Sequence, residues 1–222
     1  MRILFFAKDA PFVNSGYGKC CREICTRLRG LGHDIAIFAT VGNQSSFLFE
    51  YKGIPIYPGS GDMFGEDIIS LHYNHFKADL LITQLDIWPL RNYSKLIEQN
   101  IAWLPYPPLD FLTPPEFILD RLFGSIHIAA MNEDAAIKFR SFGFDTTTIH
   151  HGIDDTIYKY LDEPKAKLKE ELGFSPDTYV IGMVQANQFL RKAWDEQLSA
   201  VVLFRKNHPE IKFQLQTAWH KD

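Results

Sequence analysis

The chain has 222 residues and a formal net charge of −4 at pH 7, and its length allows one large domain or one domain plus part of another. Hydrophobic residues make up 46% and charged residues 23% of the sequence, as in ordinary soluble globular proteins. The net negative charge argues against general attraction to nucleic acid, so no nucleic-acid partner is expected. The 3 cysteines fall within one helical segment, which excludes a disulfide framework, and no metal site or cofactor is expected.

The N-terminal segment does not have the pattern of a targeting signal. Lys8 and Asp9 follow the first apolar run too soon for a signal peptide, and no apolar run approaches the roughly 20 residues that span a bilayer. We therefore expect a cytoplasmic protein without a transmembrane segment. Basic residues on the first predicted helix, Lys19, Arg22 and Arg29 among them, leave peripheral contact with anionic lipid open, although a solvated polar face is the simpler interpretation.

Residues 1–155 alternate between predicted strands and predicted helices. The predicted strands are short, apolar and bounded by Gly, Pro, Asp or Asn: Arg2–Ala7, Asp34–Ala39, Ile54–Tyr57, Asp79–Gln84, Ile101–Pro105, Ser125–Ala130 and Thr147–His150. The predicted helices lie between them: Gly18–Leu31, Glu66–Phe76, Tyr93–Gln99, Pro115–Phe123 and Asn132–Phe142. Gly32 and Gly143 stand where a left-handed helix cap favours glycine. This alternation predicts an α/β fold with a doubly wound parallel sheet.

A second, smaller α/β unit follows. Residues 156–177 are charged and predict a linker with a short entry helix at Lys165–Leu172. Residues 178–222 then predict a strand, a helix and a second strand, Tyr179–Val184, Ala193–Lys206 and Lys212–Thr217. One βαβ unit cannot bury both faces of its own sheet, so we expect this unit to be incomplete or to pack against the first domain or a partner.

Both units contain a strand, a loop and the start of a helix, which is how α/β proteins hold phosphate groups. In the first unit the loop carries Gly16 and Gly18, whose small size allows backbone amides to approach a ligand. The spacing is not that of the dinucleotide fingerprint, which disfavours an NAD-type site. The alternative is a helix-start turn in which Ser15 or Asn14 caps the helix. The pairing of two such units predicts a nucleotide held between two sheets.

In the second unit the loop carries Asn187, Arg191 and Lys192. Two cations at a helix start oppose the helix dipole, which is favourable only if an anion binds there. Arg can hold a phosphate through two donors and Lys acts as a point charge. The alternative is a solvated basic pair.

Two carboxylates and a hinge segment complete the candidate residues. Asp86 and Asp110 each follow a predicted strand, and the carboxyl ends of parallel strands form the ligand-binding edge of such a sheet. Either carboxylate can bind sugar hydroxyls or act as a base, and capping of a loop is the alternative. His151, Gly152 and Asp154 lie where the two units join, which favours a hinge over a catalytic role.

These segments together resemble the GT-B glycosyltransferases, and glycosyltransferase family four in particular. The first glycine loop is similar to the family's loop near the donor diphosphate. Residues 149–154, followed by Tyr158, resemble its His-Gly-Val-Asp segment and aromatic residue, and residues 182–192 resemble its basic second-domain loop. The chain departs from the family at Gln185, where an additional basic residue is usual. Its Glu-x7-Glu motif has no match after the second-domain strand.

The resemblance implies an acceptor-side domain at 1–155 and the start of a nucleotide-sugar domain at 178–222. It implies a hexosyltransferase that moves a sugar from a nucleotide-diphosphate donor to an unknown acceptor, with retention of configuration and without a metal. Gly16 would then contact the diphosphate, and Lys192 with Arg191 would neutralise its charge. Asp110 falls on the acceptor side. The alternative is a catalytically incomplete binding or assembly protein that forms homo-oligomers through its second unit.

Overall fold

The computed structural model describes residues 1–45, 47–185 and 192–218. It divides into two compact units, Met1–Gly152 and Ile153–Asp222. The division lies close to residue 155, where the change in sequence character predicts a boundary.

The first unit is built on a six-stranded sheet. Its strands are β1 (Arg2–Asp9), β2 (Asp34–Val41), β3 (Phe49–Tyr51), β4 (Ile54–Tyr57), β5 (Leu80–Gln84) and β6 (Trp103–Pro105), in the spatial order β3-β4-β2-β1-β5-β6. Neighbouring strands are parallel except for β3 and β4, which form an antiparallel pair. The predicted parallel sheet is therefore confirmed. The sequence did not predict β3, because three residues are too few to show an alternating pattern.

A small parallel pair adjoins this sheet within the same unit. It consists of β7 (Ile128–Ala130) and β8 (Thr146–Thr148). The backbone N–H of Ile126 donates to the carbonyl oxygen of Trp103 at 2.8 Å, which connects the segment before β7 to β6. Both strands are shorter than predicted.

The helices of the first unit are α1 (Gly16–Gly30), α2 (Ile69–Phe76), α3 (Glu116–Leu119) and α4 (Glu133–Ser141). The segment Tyr93–Gln99 forms a 3-10 helix, and the single helix predicted over 115–123 is divided into α3 and a 3-10 turn. Gly32 and Gly143 adopt positive φ angles of 89° and 87° after α1 and α4, as predicted. Within the described part of the chain, no helix combines the length and apolar character that crossing a bilayer requires.

Alternate residues of β1 face two separate cores. Phe5 packs with Cys21 and Cys25 of α1 on one face, whereas Leu4 and Phe6 pack with α2 on the other. Because each face of a central parallel strand is covered by a helix, β1 is apolar along most of its length. This arrangement explains why the strand could be recognised from sequence alone.

The order of the strands creates a switch point at β1. The chain passes from β1 through α1 to β2 on one side, and later returns through α2 to β5 on the other side of β1. The crossover connections therefore diverge beyond the carboxyl ends of β1 and β5. In open α/β sheets the ligand-binding crevice lies at such a point.

The second unit contains α5 (Lys165–Glu171), β9 (Tyr179–Val184), α6 (Trp194–Asn207) and β10 (Phe213–Ala218). The two strands are parallel, with Tyr179 opposite Phe213 and Val184 opposite Ala218. This is the βαβ unit that the sequence predicts. Ala193, immediately before α6, has a left-handed φ of 49°.

The stability of the first unit is expected to fall at acid pH because of His72. This imidazole is 4% exposed, lies against the Phe38 and Tyr57 rings, and its Nε2 donates to the Pro58 carbonyl oxygen at 3.0 Å. Burial lowers the pKa of His72, and nearby His75 adds to this, against opposing effects of Pro58 and Asp67. As the pH falls below 6.5, His72 becomes protonated in the unfolded chain while it stays neutral in the folded chain. The free energy of unfolding therefore decreases in this pH range.

Urea denaturation between pH 7 and pH 5 tests this expectation. The wild type should lose stability with a slope of at most about 1.4 kcal/mol per pH unit from this group, and His72→Phe should have a smaller slope. His33→Phe, in the turn before β2, is the matched control for removal of a histidine. An unchanged slope in His72→Phe would contradict the assignment.

Candidate functional site

The loop between β1 and α1 is held by two hydrogen bonds that share one side chain. Asp9 ends β1 and is buried, and its Oδ2 accepts a hydrogen bond from the Ser15 hydroxyl. The Ser15 Oγ in turn accepts from the backbone N–H of Gly18 at 3.0 Å. Ser15 is therefore the N-cap of α1. Of the two caps that the sequence predicts, Ser15 and Asn14, the structure shows the first. Satisfying an otherwise unpaired N–H in this way stabilises a helix start by about 1 kcal/mol.

The two glycines of this loop have different surroundings. Neither adopts a positive φ. A Cβ at Gly18 would stand 2.2 Å from the Val13 carbonyl oxygen and 2.8 Å from that of Ala10, so close packing of the loop explains glycine at this position. Gly16 is exposed, and a Cβ added there would have no other atom within 4 Å. Of the two, Gly16 is the residue open to an approaching ligand.

Tyr17 brings the two predicted carboxylates together. Burial raises the pKa of the Tyr17 phenol well above its usual value, and Asp86 raises it further both through its charge and as the acceptor of a hydrogen bond from the hydroxyl. The charges of Asp110 and Asp9 act in the same direction. The phenol is thus a neutral hydrogen-bond donor to Asp86, and the charges of two further carboxylates act on it. The Lys8 ammonium lies 5.2 Å from the centre of the Tyr17 ring.

Asp86 and Asp110 lie beyond neighbouring strands. Asp86 follows β5 by two residues and is half-buried, whereas Asp110 lies in the loop after β6 and is exposed. Because β5 and β6 are parallel neighbours, their carboxyl ends meet at one edge of the sheet. The structure therefore places both residues on the edge that the sequence predicts.

Gln84 and Cys20 form a second contact between α1 and the end of β5. The Gln84 amide donates to the Cys20 sulfur, which partly offsets the rise in the pKa of Cys20 that burial causes. Cys20 lies one helical turn after Tyr17, and Gln84 lies two residues before Asp86. The two contacts are therefore adjacent. Gln84 is 1% exposed, and its Oε1 has no hydrogen-bond partner among the residues that the structure describes.

His151 connects the end of the first unit to the same helix. Its Nδ1 lies 3.5 Å from the Cys20 Sγ, and its Nε2 lies 3.0 Å from the Met131 Sδ. Its ring is 5.7 Å from that of Tyr106, whose hydroxyl donates to the Ile149 carbonyl oxygen at 2.9 Å. Burial and the neighbouring Cys20 raise the pKa of Tyr106 to about 12. These contacts hold His151 in position, and its role as a hinge residue stays a prediction.

The other predicted hinge residues lie on either side of the division between the units. Gly152 ends the first unit, and its φ is not in the left-handed region. Asp154 belongs to the second unit, where its Oδ1 accepts from the Thr156 N–H at 3.1 Å and the Thr156 hydroxyl at 2.6 Å. Asp154 therefore caps a turn.

Of the predicted donor-binding residues in the second unit, only Lys192 lies in the described part of the chain. Asn187 and Arg191 lie outside the described residues. Lys192 precedes α6, and its carbonyl oxygen accepts from the Gln185 and Gln197 side-chain amides at 3.5 and 2.5 Å. Over residues 1–45, 47–185 and 192–218, no group of three or more His, Cys, Asp or Glu is placed to hold a metal ion.

The structure adds residues to this edge that sequence patterns did not reveal. Tyr17, Gln84 and Cys20 belong to it through the contacts described above, and Asp9 holds its loop. The same signal that selected Asp86, a polar residue at a strand's carboxyl end, also applies to Gln84 and Asp9. Tyr17 had no such signal, because its role depends on the direction in which α1 leaves the loop.

The fold is shared with several proteins of known structure. Sucrose-phosphate synthase from Thermosynechococcus elongatus matches 100% of this chain and 63% of its own, at 14% sequence identity and a TM-score of 0.71. The S. aureus MnaA–UDP co-structure matches over 100% and 62% of the two chains, at 12% identity and a TM-score of 0.56. The catalytic domain of starch synthase IV from Arabidopsis thaliana, bound to ADP and acarbose, matches over 97% and 68%, at 12% identity and a TM-score of 0.52.

These similarities establish the GT-B fold with its Rossmann-like domain. The chain spans less than two thirds of the length of the first two of these structures. At the level of sequence, no family model matches the chain and no curated protein does so.

The packing of the loop predicts opposite results for its two glycines. Gly18→Ala should destabilise the protein by about 2–4 kcal/mol, because the added methyl group meets the Val13 carbonyl oxygen. Gly16→Ala should change stability by no more than about 0.5 kcal/mol, because its surroundings are open. Chemical denaturation of both variants measures the difference. Equal stability of the two would contradict the described loop.

Proposed function

We propose that this protein is a glycosyltransferase of the family-four type, which transfers a sugar from a nucleotide-diphosphate donor to an acceptor at the crevice beyond β1 and β5. The observation that carries this proposal is the placement of Asp86 and Asp110 after the carboxyl ends of the neighbouring strands β5 and β6, beside the switch point at β1. Carboxylates beside aromatic rings suit sugars, since carboxylates accept hydrogen bonds from hydroxyl groups and rings cover apolar ring faces.

The reaction requires a base, or a binding group, near the acceptor. An acceptor hydroxyl oxygen bonds to the anomeric carbon of the donor sugar, while the bond from that carbon to the diphosphate oxygen breaks. The hydroxyl proton leaves to a base, and the diphosphate departs with the bonding electrons. Asp86 and Asp110 are the candidates to accept the proton or to orient the hydroxyl.

The departing diphosphate gains negative charge that a cation can stabilise. Lys192 in the second unit is proposed for this role, together with Arg191, and Gly16 is proposed for backbone contact with the diphosphate. Electrostatic stabilisation of this kind needs no metal. Retention of configuration and metal independence are inferred from the resemblance to family four. Two structures with the same fold contain UDP or ADP according to their descriptions, which supports a nucleotide donor here.

Replacement of each carboxylate by its amide tests these roles. We expect Asp110→Asn or Asp86→Asn to lower the rate of transfer by about 100-fold or more if that residue is the base. If the residue only binds the acceptor, its replacement should instead raise KM with little change in kcat. The assay measures sugar transfer and donor hydrolysis with a panel of sugar nucleotides.

Asp134→Asn is the matched control, because Asp134 is exposed and pairs with Lys138 on α4. This variant should retain wild-type activity. The proposal fails if the wild type neither binds nor turns over any sugar nucleotide. If Asp86→Asn and Asp110→Asn are both as active as the control, the roles assigned to these two residues are wrong.

A second candidate function is assembly through α6. One groove along this helix is lined by Asp195, Leu198, Ser199, Val202, Leu203 and Lys206, and Val202 and Leu203 are 69% and 57% exposed. The order of these residues along α6 is self-complementary when the helices of two protein copies lie antiparallel. Residue 195 would then face residue 206 of the other copy, with opposite charges at both ends and apolar residues between them.

Charge reversal tests this assembly. Asp195→Lys or Lys206→Glu alone should raise the dissociation constant of a dimer by about tenfold, because each replaces two attractive pairs with repulsive ones. The double variant should restore wild-type association. Sedimentation equilibrium measures the constants. A wild type that stays monomeric at all concentrations would remove this candidate.

A further inference from the structure

The crevice beyond β1 and β5 offers mainly hydrogen-bond acceptors. Asp9 lies at one end, with one oxygen bonded to the Ser15 hydroxyl. Asp86 accepts the Tyr17 hydroxyl, and Asp110 is close enough to act on the same phenol. An ionised carboxylate carries acceptor sites beyond the one that each of these contacts uses. The edge therefore retains unused acceptor capacity and a local negative charge.

Gln84 adds a neutral acceptor that is buried and unpaired. Its amide N–H is directed to Cys20, one turn from Tyr17 on α1, while its Oε1 has no partner within the described part of the chain. A buried oxygen without a donor costs free energy, so such groups in folded proteins usually serve a ligand or a bound water. The partner that this oxygen lacks is an O–H or N–H donor.

An exposed aromatic residue follows Gln84 and Asp86 in the same segment of the chain. Trp88 follows Asp86 by two residues and is 52% exposed, and its ring is held edge-on against Phe64 at a centroid distance of 5.4 Å. A half-exposed indole two residues from a carboxylate suits a molecule with hydroxyl groups on its rim and C–H groups on its face. A phosphate or carboxylate on the acceptor, placed next to Asp86 or Asp110, would lie among like charges, whereas the donor diphosphate is proposed to contact Gly16 and the cations of the second unit.

We propose that the acceptor of this transferase is an uncharged or amine-bearing carbohydrate, which donates hydrogen bonds to Gln84, Asp86 and Asp110. A phosphorylated or carboxylated acceptor is rejected at this edge. Gln84 is the specificity-determining residue for a donor group on the acceptor, since only a hydroxyl or amine satisfies its Oε1. This inference rests on the proposed transferase function and names the chemical class of its acceptor.

Ligand-observed NMR without any sugar nucleotide tests the inference independently of transfer. The probes are methyl α-glucoside, glucosamine, glucose 6-phosphate and glucuronate, which share one ring and differ in charge. The wild type should bind the first two at millimolar concentration and bind neither anion. Asp86→Asn should weaken glucosamine more than methyl α-glucoside, because only the amine loses a charge–charge attraction.

Gln84→Met gives the decisive variant. It keeps the side-chain length and removes the unpaired oxygen, so it should fold and yet bind methyl α-glucoside about tenfold more weakly. Gln99→Met, at an exposed position, is the matched control and should bind as the wild type does. Equal binding by Gln84→Met, absence of binding by both neutral and amine probes, or binding of the anions would each overturn the inference. Probe binding without transfer would refute the proposed function alone.

Discussion

The hydrogen bond between the buried Asp9 carboxylate and the Ser15 hydroxyl is the constraint on which the rest of the site depends. It fixes the end of β1 to the start of α1, and through Ser15 it also caps the helix. The loop between them is then so closely packed that Gly18 has no room for a side chain. Because the direction of α1 is set in this way, Tyr17 and Cys20 face the end of β5, and the crevice acquires its chemical character.

The fold could be predicted because the strongest signal in this chain is apolar periodicity. Strands such as β1 are buried on both faces, and helices such as α1 and α4 begin and end at residues with clear capping chemistry. The same signal did not reveal β3, and it indicated one helix where α3 and a 3-10 turn are found. Short helices and strands depend on tertiary contacts more than on local sequence pattern, so the few residues that form them do not predict their type.

The candidate site was predictable in part for a similar reason. Asp86 and Asp110 could be selected because the edge of a parallel sheet follows from strand order alone. Their convergence on Tyr17, and the unpaired oxygen of Gln84, depend on side-chain directions that no spacing rule gives. Gly18 shows the opposite case: a glycine beside a predicted phosphate loop is explained by the Val13 carbonyl oxygen that packs against it. Close approach of a ligand and close packing of a loop both require glycine, and only the structure distinguishes the two reasons.

Amide chemical-shift mapping of the protein, while a sugar nucleotide and an uncharged sugar are added in turn, is the most direct test of the central claim that substrate binds where β1 and β5 end. The sugar is expected to shift amides in 14–20 and 83–88 most strongly, and these shifts should persist when the nucleotide is present. Shifts confined to other parts of the chain, with the amides of Tyr17, Gln84 and Asp86 unchanged, would contradict that claim.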